Sequence, residues 1–230
     1  MNQSFFIKEI KESRWVLLAF MLFSCLAALV IPSTYKALFI AQQMTYDSYI
    51  WWGWFFQAST QFTVTAAIIL GAVSFSKELR NDTIGFLVTK PVLRRNILFL
   101  KALAGFIILE LLIVIPAIIL YIASWLSGVG IQHLEVGVIG VLSVSIIVFP
   151  LYTLAMLFSI KFLNGIKAGM LAAGVMLLVY APSWFGSTMS PVYIMMKNLL
   201  KLNPICVAIM LILGFVFYML AQILFDNKEI

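Results

Sequence analysis

Residues 77–101 read KELRNDTIGFLVTKPVLRRNILFLK, and the layout of the whole chain hangs on this stretch. It holds Lys77, Arg80, Lys90, Arg94, Arg95 and Lys101, six of the fifteen basic residues. The run 48–76 before it carries no charge, and 102–125 after it carries only Glu110. A short polar island between two long apolar runs is a connection between two buried helices. The surroundings say what buries them. Of 230 residues, 63% are apolar and only 10% are charged, with mean hydropathy +1.09. A soluble domain averages about 25% charged residues. So few charges cannot cover a surface in water, so the composition implies an integral membrane protein.

A membrane helix needs roughly 20 apolar residues at 1.5 Å of rise each. Six stretches meet that need, at about 15–31, 54–75, 102–125, 136–160, 168–184 and 204–225. None shows the alternation of an outer-membrane barrel. The expected fold is therefore an all-α membrane protein with a single transmembrane domain over 1–230. Six spans put both termini on one side, and the basic residues choose that side. With the N-terminus in the cytoplasm, twelve of the fifteen Lys and Arg lie inside, and only Lys36, Lys197 and Lys201 lie outside. That is the positive-inside asymmetry of a multi-pass cell-membrane protein. Trp15 then falls at the inner boundary, and Trp51, Trp52, Trp54, Trp125 and Trp184 at the outer one, where amphipathic rings settle.

Residues 1–14 place Phe6 and Ile10 on one helical face, with Phe5 beside them and Lys8, Lys11 and Glu12 elsewhere. This predicts an interfacial helix, against the plainer alternative of a polar tail. No small-residue cleavage site follows the first apolar run, so that run is expected to remain as a span. Between Pro182 and Pro204 lie Gly186 and Pro191. The apolar piece 192–196 is too short to cross, and a re-entrant or surface-lying segment on the outer side fits it.

Several chemistries are absent. No GxxxxGK[ST] loop, HExxH or GxSxG occurs. The chain has one histidine, His133, and two cysteines, Cys25 and Cys206, both within apolar runs. No metal site, disulfide framework or catalytic pair is expected. The Lys and Arg residues cluster at the ends of apolar runs, which argues against nucleic-acid binding. If the protein performs energy-driven work, the nucleotide chemistry belongs to another chain.

Within the loop, Thr83 can start a helical turn, and Pro91 blocks its continuation and favours an extended residue before it. Arg94, Arg95 and Lys101 lead into the next span. Topology alone explains these basic residues. It does not explain Ile84, Phe86, Leu87 and Val88, which call for a partner surface or the membrane interface.

The pattern Glu78-x3-Asp82-Thr83, then Pro91-x2-Arg94-x2-Ile97-x3-Lys101, resembles the first cytoplasmic loop of ABC-2 type transporter permeases. Asp82 stands where that family usually has glycine. The layout is similar too: an amphipathic N-terminal segment, six spans, a broken outer segment before the last span, and a short charged tail with Asp226, Lys228 and Glu229. The resemblance implies the membrane subunit of an ATP-driven exporter, paired with a second permease chain as a homo- or heterodimer. It implies a separate ABC ATPase subunit that binds ATP and Mg, with no cofactor held by this chain. The segment 78–89 would be the coupling helix. Its apolar side, with Phe86 and Leu87, would enter a cleft of the ATPase, with Glu78, Arg80 and Asp82 at a polar rim; Thr83, Pro91, Arg94 and Lys101 complete the motif.

Polar residues inside the spans mark a possible path. Gln57, Thr60 and Gln61 lie within one turn of the second span. They either line a translocation path or dimer contact, or hold the bundle together by interhelical hydrogen bonds. Glu110 is the ionisable residue deep in a span, about 13 Å beyond Lys101 along the axis. A charge there is costly unless it is protonated, paired or facing water. No basic residue stands at 106, 107, 113 or 114, so a partner must come from another span, where Gln57, Gln61, Ser143 and Ser145 are available. Gly165, Gly169 and Ala173 recur every four residues, a spacing for close helix approach, either within the chain or in a dimer. The eleven methionines are scattered gap-fillers rather than copper ligands. Two other classes fit the same composition: a membrane-embedded accessory or immunity protein, and a stand-alone carrier or channel. A hydrophobic or peptide-like substrate suits an apolar path with few charges.

Overall fold

The computed structural model describes residues 11, 14–30, 48–80, 94–126, 134–162, 164–184 and 203–227, and all of its regular elements there are α-helices. They are α1 (Arg14–Val30), α2 (Ser48–Arg80), α3 (Arg94–Leu126), α4 (Leu134–Phe162), α5 (Gly165–Trp184) and α6 (Pro204–Asp226). α2 to α6 each contain one of the predicted apolar runs, and α1 covers residues 15–30 of the first. Segments from α2, α3, α4 and α6 are long and apolar enough to cross a membrane; Arg14–Val30 and the Gly165–Leu177 part of α5 are apolar but shorter. The predicted interfacial helix at 1–14, the coupling helix at 78–89 beyond Arg80, and the broken segment at 185–202 lie largely or wholly outside the described residues.

The helix boundaries differ from the apolar runs at informative places. α2 and α3 are each 33 residues long. At 1.5 Å per residue that is about 50 Å, against roughly 30 Å for a bilayer's hydrocarbon core. Arg94 and Arg95, read from sequence as an approach to the third span, already belong to its first turn. Charged residues need not end a helix, because the backbone ladder continues wherever their heads can reach water.

Local chemistry sets two helix starts. Asn164 Oδ1 accepts from the amides of Ile166 (3.0 Å) and Lys167 (3.4 Å), capping α5. Asn203 Oδ1 accepts from the amide of Ile205 (3.1 Å), and Pro204 follows at the first turn of α6, where a missing N–H costs nothing. Pro116 lies inside α3 and Pro150 inside α4. Such prolines are tolerated in apolar helices when neighbours satisfy the freed backbone groups. Hydroxyl groups in the helices are satisfied in the same economical way, by back-bonding to carbonyls one turn earlier. Thr63 donates to Ser59 O and Ser143 to Ile139 O, and the Thr153 hydroxyl lies 3.1 Å from the carbonyls of both Phe149 and Pro150, either of which can take its proton.

α4 is the centre of the bundle. It packs against α2, α3, α5 and α6, most extensively against α2. The two backbones come close at Gly71, where an added Cβ would lie 2.6 Å from the Tyr152 carbonyl oxygen and 2.7 Å from Ala155 Cβ. Gly165 sits against Ser76, and Gly169 faces Ala72, so this part of the small-residue spacing on α5 serves packing within the chain. Gly214 on α6 makes room for the Phe149 ring. α1 joins through stacked rings of Phe23 and Phe62, 6.2 Å apart.

These contacts bring Arg80, Arg94, Phe162, Gly165 and Asp226 to one end of the bundle. Arg95 Nε reaches Asp226 Oδ2 at 3.3 Å, which ties the start of α3 to the finish of α6. Lys161 and Lys167 belong to that same end. At the opposite end of α2–α6, Glu135 alone is charged among the described residues.

Candidate functional site

The charged end is built around residues 74–76 of α2. Lys101 is 3% exposed and is the one charged residue among the buried described residues. Its Nζ donates to the Ser74 carbonyl at 3.0 Å and lies 5.3 Å from the centre of the Phe75 ring. The ammonium therefore spends its charge on a main-chain oxygen and an aromatic face, a combination that offsets desolvation. On α4, Ser159 Oγ accepts from the amides of Phe75 (3.2 Å) and Ser76 (3.0 Å). Tyr152, one further hydroxyl on α4, donates to the Lys101 carbonyl at 3.2 Å, and its ring lies over Gly105. From α6, the Phe225 ring meets Phe75 at 5.1 Å between centres. Phe75, Leu98, Met156, Ile160, Ala221 and Phe225 form the apolar packing around this polar node.

Sequence spacing placed Lys101 in the partner-facing motif. The structure places its side chain inside the bundle, where it touches α2. Ser74 and Tyr152, which bond to Lys101, and Ser159, which takes the neighbouring amides of Phe75 and Ser76, were not singled out from the sequence. One signal was present: Tyr152, Ala155, Met156 and Ser159 follow the i, i+3, i+4, i+7 rule and so share one helix face. That face is the one α4 turns to α2 and α3. Of the other motif residues, Glu78 and Arg80 lie in the last turn of α2 and Arg94 opens α3. Asp82, Thr83, Phe86, Leu87 and Pro91 lie outside the described residues.

Glu110 is half-buried between α3 and α4, and its Oε2 lies 2.9 Å from Ser145 Oγ. Ser145 is one of the partners the sequence made available. Its hydroxyl lies equally close, 2.9 Å, to the Val141 carbonyl. A serine hydroxyl carries one proton, so it can donate to only one of these two oxygens at a time.

Of the residues that mark a possible path, Thr60 and Gln61 lie on α2 and Glu110 on α3. Thr60 is half-buried and Gln61 is exposed on α2. Thr65, one turn on, donates to the Gln61 carbonyl at 2.8 Å and borders an open groove of about 960 Å³ between α2 and α5. Its walls are mainly Ile68, Ile69, Ala72, Met170, Ala173 and Met176. Glu110 belongs to a different interface, that of α3 with α4. Gln57 lies on α2, and its side chain is outside the described residues. Among the described residues no cluster of His, Cys, Asp and Glu could hold a metal ion. No family model and no curated protein matches this sequence.

Proposed function

We propose that this chain is the membrane-spanning permease subunit of an ATP-driven exporter. On this reading the six apolar helices all cross or enter the bilayer, both termini lie in the cytoplasm, and a second permease chain completes a dimer. A separate ABC ATPase supplies ATP hydrolysis and docks on the segment 78–89. The cargo is hydrophobic or peptide-like. The observation that carries the reading is the shape of the charged end. α2 and α3 are about 20 Å longer than a hydrocarbon core requires. They end side by side at Arg80 and Arg94, flanking the segment that resembles a permease coupling loop. At this end α2 runs five residues past its predicted span and α3 starts eight residues before its own, and helices extended so, joined by a segment with the apolar residues Ile84, Phe86, Leu87 and Val88, suit contact with a protein outside the bilayer. The basic residues that gather at this end suit the cytoplasmic side.

Co-purification tests the reading. The wild-type chain, solubilised from its native membrane, is expected to bring down a Walker-motif ATPase. Charge reversal by Glu78→Lys together with Arg80→Glu is expected to abolish that association while leaving the chain in the membrane. Undiminished ATPase binding by the double variant would remove 78–89 as the docking segment. Transport by the purified chain alone in ATP-free liposomes would make it a carrier instead.

A further inference from the structure

Residues 74–76 form a short collar point near the end of α2, and four other helices converge on it. α3 contributes Lys101, whose ammonium holds the Ser74 carbonyl. α4 contributes Ser159, whose oxygen takes the amides of Phe75 and Ser76. α5 contributes Gly165, whose lack of a side chain lets Ser76 approach. α6 contributes Phe225, packed on Phe75. The two polar grips are on backbone atoms, so they fix the course of the helix itself rather than one side chain. A side chain bonded into a helix ladder is a place where a helix bends or is held from bending. The grip extends to the central helix, because Tyr152 holds the carbonyl of Lys101. One turn beyond the collar, α2 ends at Arg80.

We infer that Lys101 is a positioning residue that makes the end of α2 move as one body with α4, so that a displacement of that end reaches the centre of the bundle. The inference rests on the reading that an ATPase pulls or pushes this end of the chain. Lys101 is 3% exposed, so it performs this task through Ser74 and Tyr152 and not by touching the ATPase. A buried ammonium is suited to the work. A buried ammonium that gives up the Ser74 carbonyl loses a charged hydrogen bond in a medium of low polarity, so the contact is expensive to break. A neutral side chain of the same length would fill the space but release the Ser74 carbonyl, leaving Ser159 to tie this end of α2 to α4.

Hydrogen exchange read by mass spectrometry tests this on the full chain in complex with the ATPase recovered by co-purification. The probe is a non-hydrolysable ATP analogue, added or withheld. In the wild type, the analogue is expected to change exchange in peptides covering 74–80 and also in peptides from the 150–162 part of α4. In Lys101→Met, ATPase binding is expected to persist and the change at 74–80 to remain, while the change in α4 is weakened. Lys101→Arg, which keeps a cation, restores it. Full transmission to α4 in Lys101→Met overturns the inference. So does loss of ATPase binding by that variant, which would mark Lys101 as a folding or docking residue only. A wild-type chain that binds no ATPase defeats the exporter reading itself, and the collar is then judged on the isolated chain. There Lys101→Met is expected to raise exchange at 74–80 by about ten-fold or more, the factor that one charged hydrogen bond confers. Lys101→Arg should stay near wild type. Unchanged exchange in Lys101→Met overturns the collar.

Discussion

The Tyr152 hydroxyl donates to the main-chain carbonyl of Lys101 at 3.2 Å, and the same ring occupies the space above Gly105 that any side chain would need. The two residues lie 51 positions apart. Their contact explains why a glycine, poor in helices by about 1 kcal/mol, stands mid-helix in α3. Gly105→Ala gains that propensity yet drives its methyl into the ring of a fully buried tyrosine. A net loss of about 1–3 kcal/mol is expected, the range for overpacking. Thermal unfolding in detergent checks it, and a variant as stable as wild type would show that the α3–α4 contact is looser than described.

Glycines on the neighbouring helices separate into two kinds. A methyl at Gly71 would meet the Tyr152 carbonyl at 2.6 Å and Ala155 Cβ at 2.7 Å, and backbone cannot step aside. A methyl at Gly169 would meet Ala72 Cβ at 3.6 Å, an ordinary contact. Gly71→Ala is expected to destabilise by about 1–3 kcal/mol. Gly169→Ala is expected to be neutral or to stabilise by about 0.5–1 kcal/mol through reduced unfolded-state entropy. Unfolding midpoints of the two variants in one detergent should move in opposite directions, or Gly169 should not move at all. Similar losses in both would refute the contrast.

Glu110 and Ser145 form a hydrogen-bonded pair between α3 and α4 at 2.9 Å. Interhelical polar contacts of this kind average about 0.6 kcal/mol. Ser145→Ala is expected to cost about that much. Glu110→Gln keeps an oxygen facing Ser145 and should cost less than the alanine variant. Equilibrium unfolding in mixed micelles resolves the order. A larger loss in Glu110→Gln than in Ser145→Ala would mean that the carboxyl group has a task beyond this bond.

The Arg95–Asp226 pair is 3.3 Å long, with side chains 72% and 30% exposed. Water and salt screen it, so Asp226→Asn is expected to cost no more than about 1 kcal/mol. The small effect should vanish at high ionic strength. A loss that persists in concentrated salt would mark the pair as part of an interface rather than a surface contact.

Among the described residues, Ser59 Oγ is buried without a hydrogen-bond partner. An unmade bond of this kind costs about 1–3 kcal/mol. Ser59→Ala removes the orphaned group at little cost in volume and is expected to be neutral or to raise the unfolding temperature. A clear drop would reveal a partner for the hydroxyl within the folded chain.

Much of this architecture can be read directly from the order of residues. Low charge and long apolar runs point to a membrane, and because these runs lack a barrel's alternation, helices are the arrangement left that satisfies the backbone without water. Five of the six helices contain their predicted runs, α1 covers residues 15–30 of its own, and the need of Glu110 for a partner on another helix follows from the empty positions a turn away. The basic island at 77–101 likewise implies a connection at a membrane surface. The pairing across helices is a different matter. Periodicity shows that Tyr152 and Ser159 share a face, yet it does not say that this face meets Lys101 and Ser74, because the contact depends on how α2, α3 and α4 cross. Lys101 looks from its neighbours like one more basic residue at a helix entry. It is buried because Gly71 and Gly105 let three helices close to within the reach of a lysine stem, and a main-chain carbonyl and an aromatic face wait there for its charge. That choice, between a solvated loop cation and an internal grip on α2, belongs to the packing and not to the local sequence.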